Sequence, residues 1–140
     1  YSAPFELVDY TAAVHRQRND SSDSEEKAAE ATVKVRVGPE IRSTVSTGNG
    51  PVNALDSALR KALLLDYPSL ATVRLVDYKV RVVDQGSATA AVVRVLIEST
   101  DGINTWQTVG ASTDVIGASW EAVADSLEYW LLKYKDATSA

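Results

Sequence analysis

The chain has 140 residues, a formal net charge of −5 and neither cysteine nor methionine. That balance argues against a nucleic-acid partner, which wants a basic stripe, and the missing cysteines exclude disulfides, thiolate nucleophiles and Cys-ligated metals. Hydrophobic residues at 45% and charged residues at 24% suit one globular domain over residues 1–140, burying roughly two-thirds of its unfolded surface.

No apolar run approaches the ~20 residues of a membrane span, and no signal-peptide pattern opens the chain, so no membrane partner is expected and cytoplasm is the default. The first residues are Tyr1-Ser2-Ala3-Pro4 rather than a methionine. A processed chain or a fragment of a longer protein is expected.

Phe5 to Val14 reads as a first strand, and Arg16 to Glu26 as a polar, mobile hairpin loop. Asp20, Asp23, Glu25 and Glu26 lack the glycine and the ligand spacing of a calcium loop, so a solvated loop is expected there. His15, the only histidine, stands at the strand end beside Arg16 and reads as a surface residue. Ala29 to Val37 alternates, with Val33, Val35 and Val37 against Thr32, Lys34 and Arg36; one face is dry and the other wet. Gly38-Pro39 turns the chain, and Ile41 to Ser46 returns as a third strand.

That strand leads into Gly48-Asn49-Gly50 and then a helix beginning at Pro51, whose fixed φ and missing N–H suit the first helical position. Val52, Leu55, Leu59, Ala62 and Leu63 recur at helical spacing, and Tyr67-Pro68 closes the segment. A strand, a glycine corner and a helix N-terminus together make a natural pocket for an anion or carboxylate.

The second half repeats the plan. Leu75 to Val83 alternates, Asp84-Gln85-Gly86-Ser87 turns, and Ala90 to Ile97 runs back with apolar groups on both faces. Such a strand implies a second covering surface. Asp101-Gly102 is a hairpin signal before Trp106 to Val109. The last helix starts near Asp114, a good N-cap, and carries Ile116, Trp120, Val123, Leu127, Trp130, Leu131 and Tyr134. Its aromatic stripe reads either as core packing or as a helix that also packs on a partner chain, and the two readings are compatible.

Thr44-Val45 and Thr108-Val109, Ala54 and Ala118, and Ala58 and Ala122 share one offset, while Leu7-Val8-Asp9-Tyr10 recurs letter for letter as Leu75-Val76-Asp77-Tyr78. An α+β fold follows, a βββα unit duplicated with pseudo-two-fold symmetry over about residues 5–68 and 72–135.

Catalytic constellations are nearly absent. One histidine cannot supply a multi-histidine metal site, there is no G-x-S-x-G elbow, and Gly48-x-Gly50 lacks the remainder of a dinucleotide or phosphate-loop motif. Nothing singles out a carboxylate pair such as Asp77 with Asp84. Neither a reaction nor a cofactor is expected in this domain.

Taken in order, L-x-x-Y, G-N-G-P-V-x-A-L, Y-P, L-x-D-Y-K-V-R-V, T-A-A-x-V-R-V-L-I-E-S-T-D-G, W-x-T-V-G and A-S-W-x-A-x-x-D-S-x-E-Y resemble the C-terminal regulatory domain of the isopropylmalate synthase and citramalate synthase family. The resemblance spans Phe5 to Lys133, and the Leu75–Val82 and Arg94–Gly102 segments are more similar to the citramalate branch. It implies two βββα units that dimerise with helices sandwiched between sheets. It also implies a TIM-barrel catalytic domain in the same chain, condensing acetyl-CoA with pyruvate under isoleucine inhibition, or with 2-oxoisovalerate under leucine inhibition. The catalytic and metal-binding residues of that family lie in the barrel.

The same resemblance places effector contacts at Gly48, Gly50, Val52 and Asn53 on the first corner, Leu75, Tyr78 and Val82 on the following strand, and Thr113 and Val115 on the second corner. Val92 on the neighbouring strand is a further candidate. Two residues depart from the family pattern: Asn53 stands where an aspartate is common, which puts a salt bridge to the effector's ammonium in question, and Gly117 stands where the citramalate branch often has glutamate. Strict alternation would set Leu75 and Tyr78 on opposite faces, so either the strand bulges or only one of them touches the ligand. Tyr78 is expected to line the pocket while Tyr10 is mainly structural. Three rival readings are a purely structural dimerisation module, a sensor of another small molecule, and an enzyme of unfamiliar type.

Overall fold

The computed structural model describes residues 3–18, 25–83 and 92–138. Its elements are β1 (Glu6–Arg18), β2 (Glu25–Val37), β3 (Glu40–Gly48), α1 (Pro51–Leu63), β4 (Arg74–Val83), β5 (Val92–Thr100), β6 (Thr105–Ser112) and α2 (Val115–Thr138). Strands β1-β2-β3 form one antiparallel sheet and β4-β5-β6 another. Each sheet is followed by a helix, so the fold is α+β with the βββα unit present twice.

Helix α1 packs on β2 and β3, α2 packs on β5 and β6, and the helices pack on each other. Leu55, Leu59 and Leu63 of α1 share one core with Val123, Leu127 and Leu131 of α2. Under α1 lie Val33, Val35 and Val37, while Lys34 and Arg36 are exposed, as the period-two pattern requires.

The duplication reaches individual hydrogen bonds. Thr44 Oγ1 donates to the Ala58 carbonyl at 2.6 Å, and its counterpart Thr108 Oγ1 donates to the Ala122 carbonyl at 2.8 Å. In both units a threonine on the last strand ties that strand to the third turn of the helix above it.

Several elements depart from the sequence reading. The β1–β2 ladder runs past Val14 through Arg16, paired with Lys27, to Arg18, paired with Glu25. Main-chain bonds hold such a ribbon whatever its side-chain polarity, so polar composition does not end it. Residues 19–24, with Asp20 and Asp23, lie outside the described residues, as do Asp84-Gln85-Gly86-Ser87 and the side chains of His15, Glu25, Glu26 and Tyr134.

Helix α1 stops at Leu63, before Tyr67-Pro68. Tyr67 N–H donates to the Leu63 carbonyl at 2.8 Å, and its hydroxyl to the Pro4 carbonyl at 2.7 Å. A short 3₁₀ turn over Pro68–Thr72 then buries Leu70. The tryptophans of α2 serve the chain's own core. Trp120 stacks on Tyr10 with ring centroids 5.1 Å apart, and Trp130 Nε1 donates to Asp101 Oδ2 at 3.0 Å. Among the described residues, the large apolar side chains that α2 leaves exposed are Tyr129 and Leu132.

Candidate functional site

Two corners, one per unit, bring a strand end to a helix start, and their close packing explains the first glycine. A methyl on Gly48 would run into Asn53 Oδ1 and lie 2.7 Å from the Ala54 nitrogen, so only glycine lets the first turn of α1 rest on β3. Gly50 is extended (φ −177°, ψ 177°) and caps α1 with no side-chain hydrogen bond. Its carbonyl accepts the Ala54 N–H at 3.0 Å. Pro51 has no N–H to offer, and the first turn carries no acidic residue. The N–H groups of Val52 and Asn53 therefore head α1 without a capping side chain, at the positive end of its dipole.

The second corner is closed from within. Asp114 Oδ1 accepts the Gly117 N–H at 2.7 Å, placing a carboxylate on the first turn of α2. Gly117 fits this cap, since a Cβ there would stand 2.7 Å from Ser112 Oγ and 3.4 Å from Asp114 Oδ2. The residue that departs from the family pattern thus makes room for a cap belonging to the chain itself.

The strands facing the corners differ in the same sense. Both carry a bulge, between Leu7 and Asp9 in β1 and between Leu75 and Asp77 in β4. In each, the aspartate's Oδ1 accepts the next residue's N–H, at 2.9 Å for Tyr10 and 2.8 Å for Tyr78. The extra residue resets the alternation. Leu75 stands opposite Ser99 and Tyr78 opposite Ile97, both buried under α2, so Leu75 and Tyr78 share the helix-side face.

Tyr10 is half-buried under Trp120. The position equivalent to Trp120 in the first unit is Asp56, which has no ring to offer, and Tyr78 is 42% exposed. A methyl placed on Gly50 would lie 4.0 Å from the Tyr78 hydroxyl, so this phenol faces the uncapped start of α1. Asp56 pairs with Arg60 Nε at 3.1 Å, the two side chains being only 13% and 18% exposed. Burial raises its pKa, and the guanidinium opposes that rise.

The structure therefore brings together Gly48, Gly50, Val52, Asn53 and Tyr78, with Leu75 beside Tyr78 across the bulge. Val52 offers its backbone alone, since its side chain is buried in the core. Val82 shares the face of Tyr78 but lies four residues along β4, about 13 Å at strand rise. Val92 does not join them. It pairs with Val83 and shares a face with Leu96, turned away from α2. Thr113, exposed, and Val115, half-buried, belong to the second, self-capped corner. Sequence reasoning did not find the stacking of Tyr10 on Trp120 or the Asp56–Arg60 pair, although Asp and Arg at i and i+4 on a helix signal the latter.

Among the described residues no group of three or more histidine, aspartate or glutamate side chains could hold a metal ion, and no helix is long and apolar enough to cross a membrane. This geometry suits recognition of a carboxylate bearing a small apolar group.

Comparison with known proteins agrees with the architecture. The family model described as the LeuA allosteric (dimerisation) domain matches residues 3–131. The (R)-citramalate synthase of Aquifex aeolicus is 48% identical over 129 residues, which cover 92% of this chain and 24% of that protein. That of Geobacter sulfurreducens is 51% identical over 114 residues, 81% of this chain and 22% of that protein. The 2-isopropylmalate synthase of Aquifex aeolicus is 37% identical over 97 residues, 69% of this chain and 17% of that protein. The chain thus spans about a quarter of the length of these two citramalate synthases. With all six strands, α1 and most of α2 inside the matched residues, the chain belongs to the LeuA allosteric (dimerisation) domain family.

Proposed function

We propose that this chain is the amino-acid-sensing and dimerisation domain of an acetyl-CoA-dependent citramalate synthase, and that it binds isoleucine as a feedback inhibitor. In an isopropylmalate synthase the corresponding effector would be leucine; the higher identities to citramalate synthases favour isoleucine. The observation that carries the reading is the inequality of the two corners. The first helix start is uncapped and faces an exposed tyrosine, whereas the second is occupied by Asp114 and its tyrosine is covered by Trp120. An effector carboxylate would take the N–H groups of Val52 and Asn53. Its aliphatic group would lie along Leu75 and Tyr78.

The helix-side face of β4 supports a homodimer. Tyr78, Val80 and Val82 share that face and are exposed, because α1 and α2 pack on other strands. A second copy laying its helices there would close the pocket and let occupancy change the dimer. A TIM-barrel catalytic domain in the same polypeptide would receive the signal. Titration calorimetry with isoleucine and leucine, with light scattering on the same samples, tests this reading. Saturable binding by a dimer is expected; a dimer that binds neither amino acid would leave a purely structural module.

A further inference from the structure

The outer face of the second sheet, turned away from both helices, has a charge order that the first sheet lacks. Cross-strand register sorts its residues into three rows: Asp77, Glu98 and Gln107; then Lys79, Leu96 and Val109; then Arg81, Arg94 and Ala111. One end row is acidic, the opposite end row is basic, and the middle row is apolar over two of its three strands.

The first sheet is built the other way. There Glu6 stands opposite Arg36, and Asp9 opposite Lys34. Opposite charges facing each other across strands stabilise a sheet, while like charges directly opposite destabilise it. The second sheet sets Asp77 against Glu98 and Arg81 against Arg94, and none of these four forms an ion pair among the described residues. Two shallow depressions mark this face. One, of about 260 Å³, is lined by Lys79, Arg81, Arg94, Leu96 and Val109. The other, of about 230 Å³, borders Asp77, Glu98 and Gln107.

We infer that this outer face is a self-association surface, on which a second copy of the chain docks about a two-fold axis lying along the Lys79–Leu96–Val109 row. Such an axis lies in the contact plane and reverses strand direction. It sets Glu98 of each copy on Arg94 of the other, and Asp77 on Arg81. Leu96 and Val109 meet their own counterparts at the centre, which is the self-complementarity an isologous contact requires. Lys79 lies on the edge strand, where its long stem carries the ammonium out to water. The bulge holds Asp77 in place, because its Oδ1 accepts the Tyr78 N–H.

Three strands about 4.8 Å apart and three rows about 6.8 Å apart cover on the order of 300 Å² per copy. That is well below the roughly 800 Å² per partner of a standard stable interface. The contact is therefore weak, and its charge pairs make it salt-sensitive. It lies on the opposite side of β4 from Tyr78, Val80 and Val82, so the two modes of association can coexist.

Sedimentation equilibrium of the 140-residue chain, at low and high salt and from tens of micromolar to about millimolar protein, tests the inference. Reversible association beyond the species present at high salt is expected at low salt. Arg94→Glu and Glu98→Arg, each folded by circular dichroism, should each weaken that step about tenfold or more. Mixing the two variants should restore it, since each copy then meets its complement. No association at low salt, single variants that associate like the parent, or a mixture that stays dissociated would each overturn the inference.

Discussion

Only Asn49 separates Gly48 from Gly50, yet the proposed site gives them different duties, and alanine at each position separates the two. At Gly48 an added methyl meets backbone, 2.7 Å from the Ala54 nitrogen and 2.9 Å from the Asn53 carbonyl carbon. Neither atom can swing away, so the first turn of α1 must lift from β3. Overpacking of this kind costs about 1–3 kcal/mol, partly offset by the ~0.4–1 kcal/mol that a lost glycine removes from unfolded-state entropy. The net loss is at most about 2.6 kcal/mol and about 1.3 kcal/mol at the middle of the two ranges, which in a domain of this size corresponds to a melting temperature lower by about 5 °C. At Gly50 the backbone is extended and open to any residue, and the nearest atom to a new methyl is the Tyr78 hydroxyl at 4.0 Å. Gly50→Ala should melt within about 3 °C of the parent, because the entropy gain and the poorer N-cap nearly cancel, while isoleucine binding weakens as the methyl narrows the pocket. Thermal melts followed by circular dichroism, with calorimetry on the same samples, read both quantities. A Gly50→Ala variant destabilised as much as Gly48→Ala, or a Gly48→Ala variant melting with the parent, would refute the reasoning.

Tyr78→Phe should keep the fold and lose on the order of 0.5–1.5 kcal/mol of effector binding, whereas Tyr78→Ala, measured by the same calorimetry, should lose far more because a pocket wall goes with it. Thr44→Val and Thr108→Val each remove one strand-to-helix bond of the same design, so denaturant melts should show two similar losses of about 0.5–1.5 kcal/mol; a large cost at only one position would deny the equivalence of the units. The Asn104 N–H, the Trp130 indole N–H and the Ile103 N–H hold the Asp101 carboxyl down to about 2. That value lies below the ~3.9 of an unfolded aspartate, so its contribution to stability is complete above about pH 4 and is lost as pH falls towards 2. Asp101→Asn should flatten the acid limb of a stability-against-pH profile, and an unchanged limb would contradict the assignment.

Much of this fold is legible because side chains announce it. The run from Thr32 to Val37 spells out one buried face, and Thr44 with Ala58 and Thr108 with Ala122 repeat at one offset because they make the same bond. What stayed hidden is made by the backbone or by distant pairing. The bulges at Val8 and Val76 insert one residue into a period-two pattern, so strict alternation misplaces Leu75 against Tyr78 until the ladder is seen. Trp120 reads as one more apolar position on a helix, and nothing local says that its face meets Tyr10 in the other unit. Val92 and Val93 are adjacent and chemically alike. Register alone decides which of them lies under α2, and it buries Val93 while turning Val92 outward. The corners show both cases. Gly48-Asn49-Gly50-Pro51 marks the first in sequence, but the openness of that corner is visible only beside the second, where Asp114 closes its own helix.

The claim that the two corners are unequal is tested most directly by following backbone amides in a ¹⁵N–¹H correlation spectrum of the chain titrated with isoleucine. The N–H resonances of Val52 and Asn53 should shift saturably, with those of Gly50 and Tyr78 following, while Ile116 and Gly117 at the start of α2 stay in place. Equal shifts at both helix starts, shifts confined to α2, or no shift at millimolar isoleucine would contradict it.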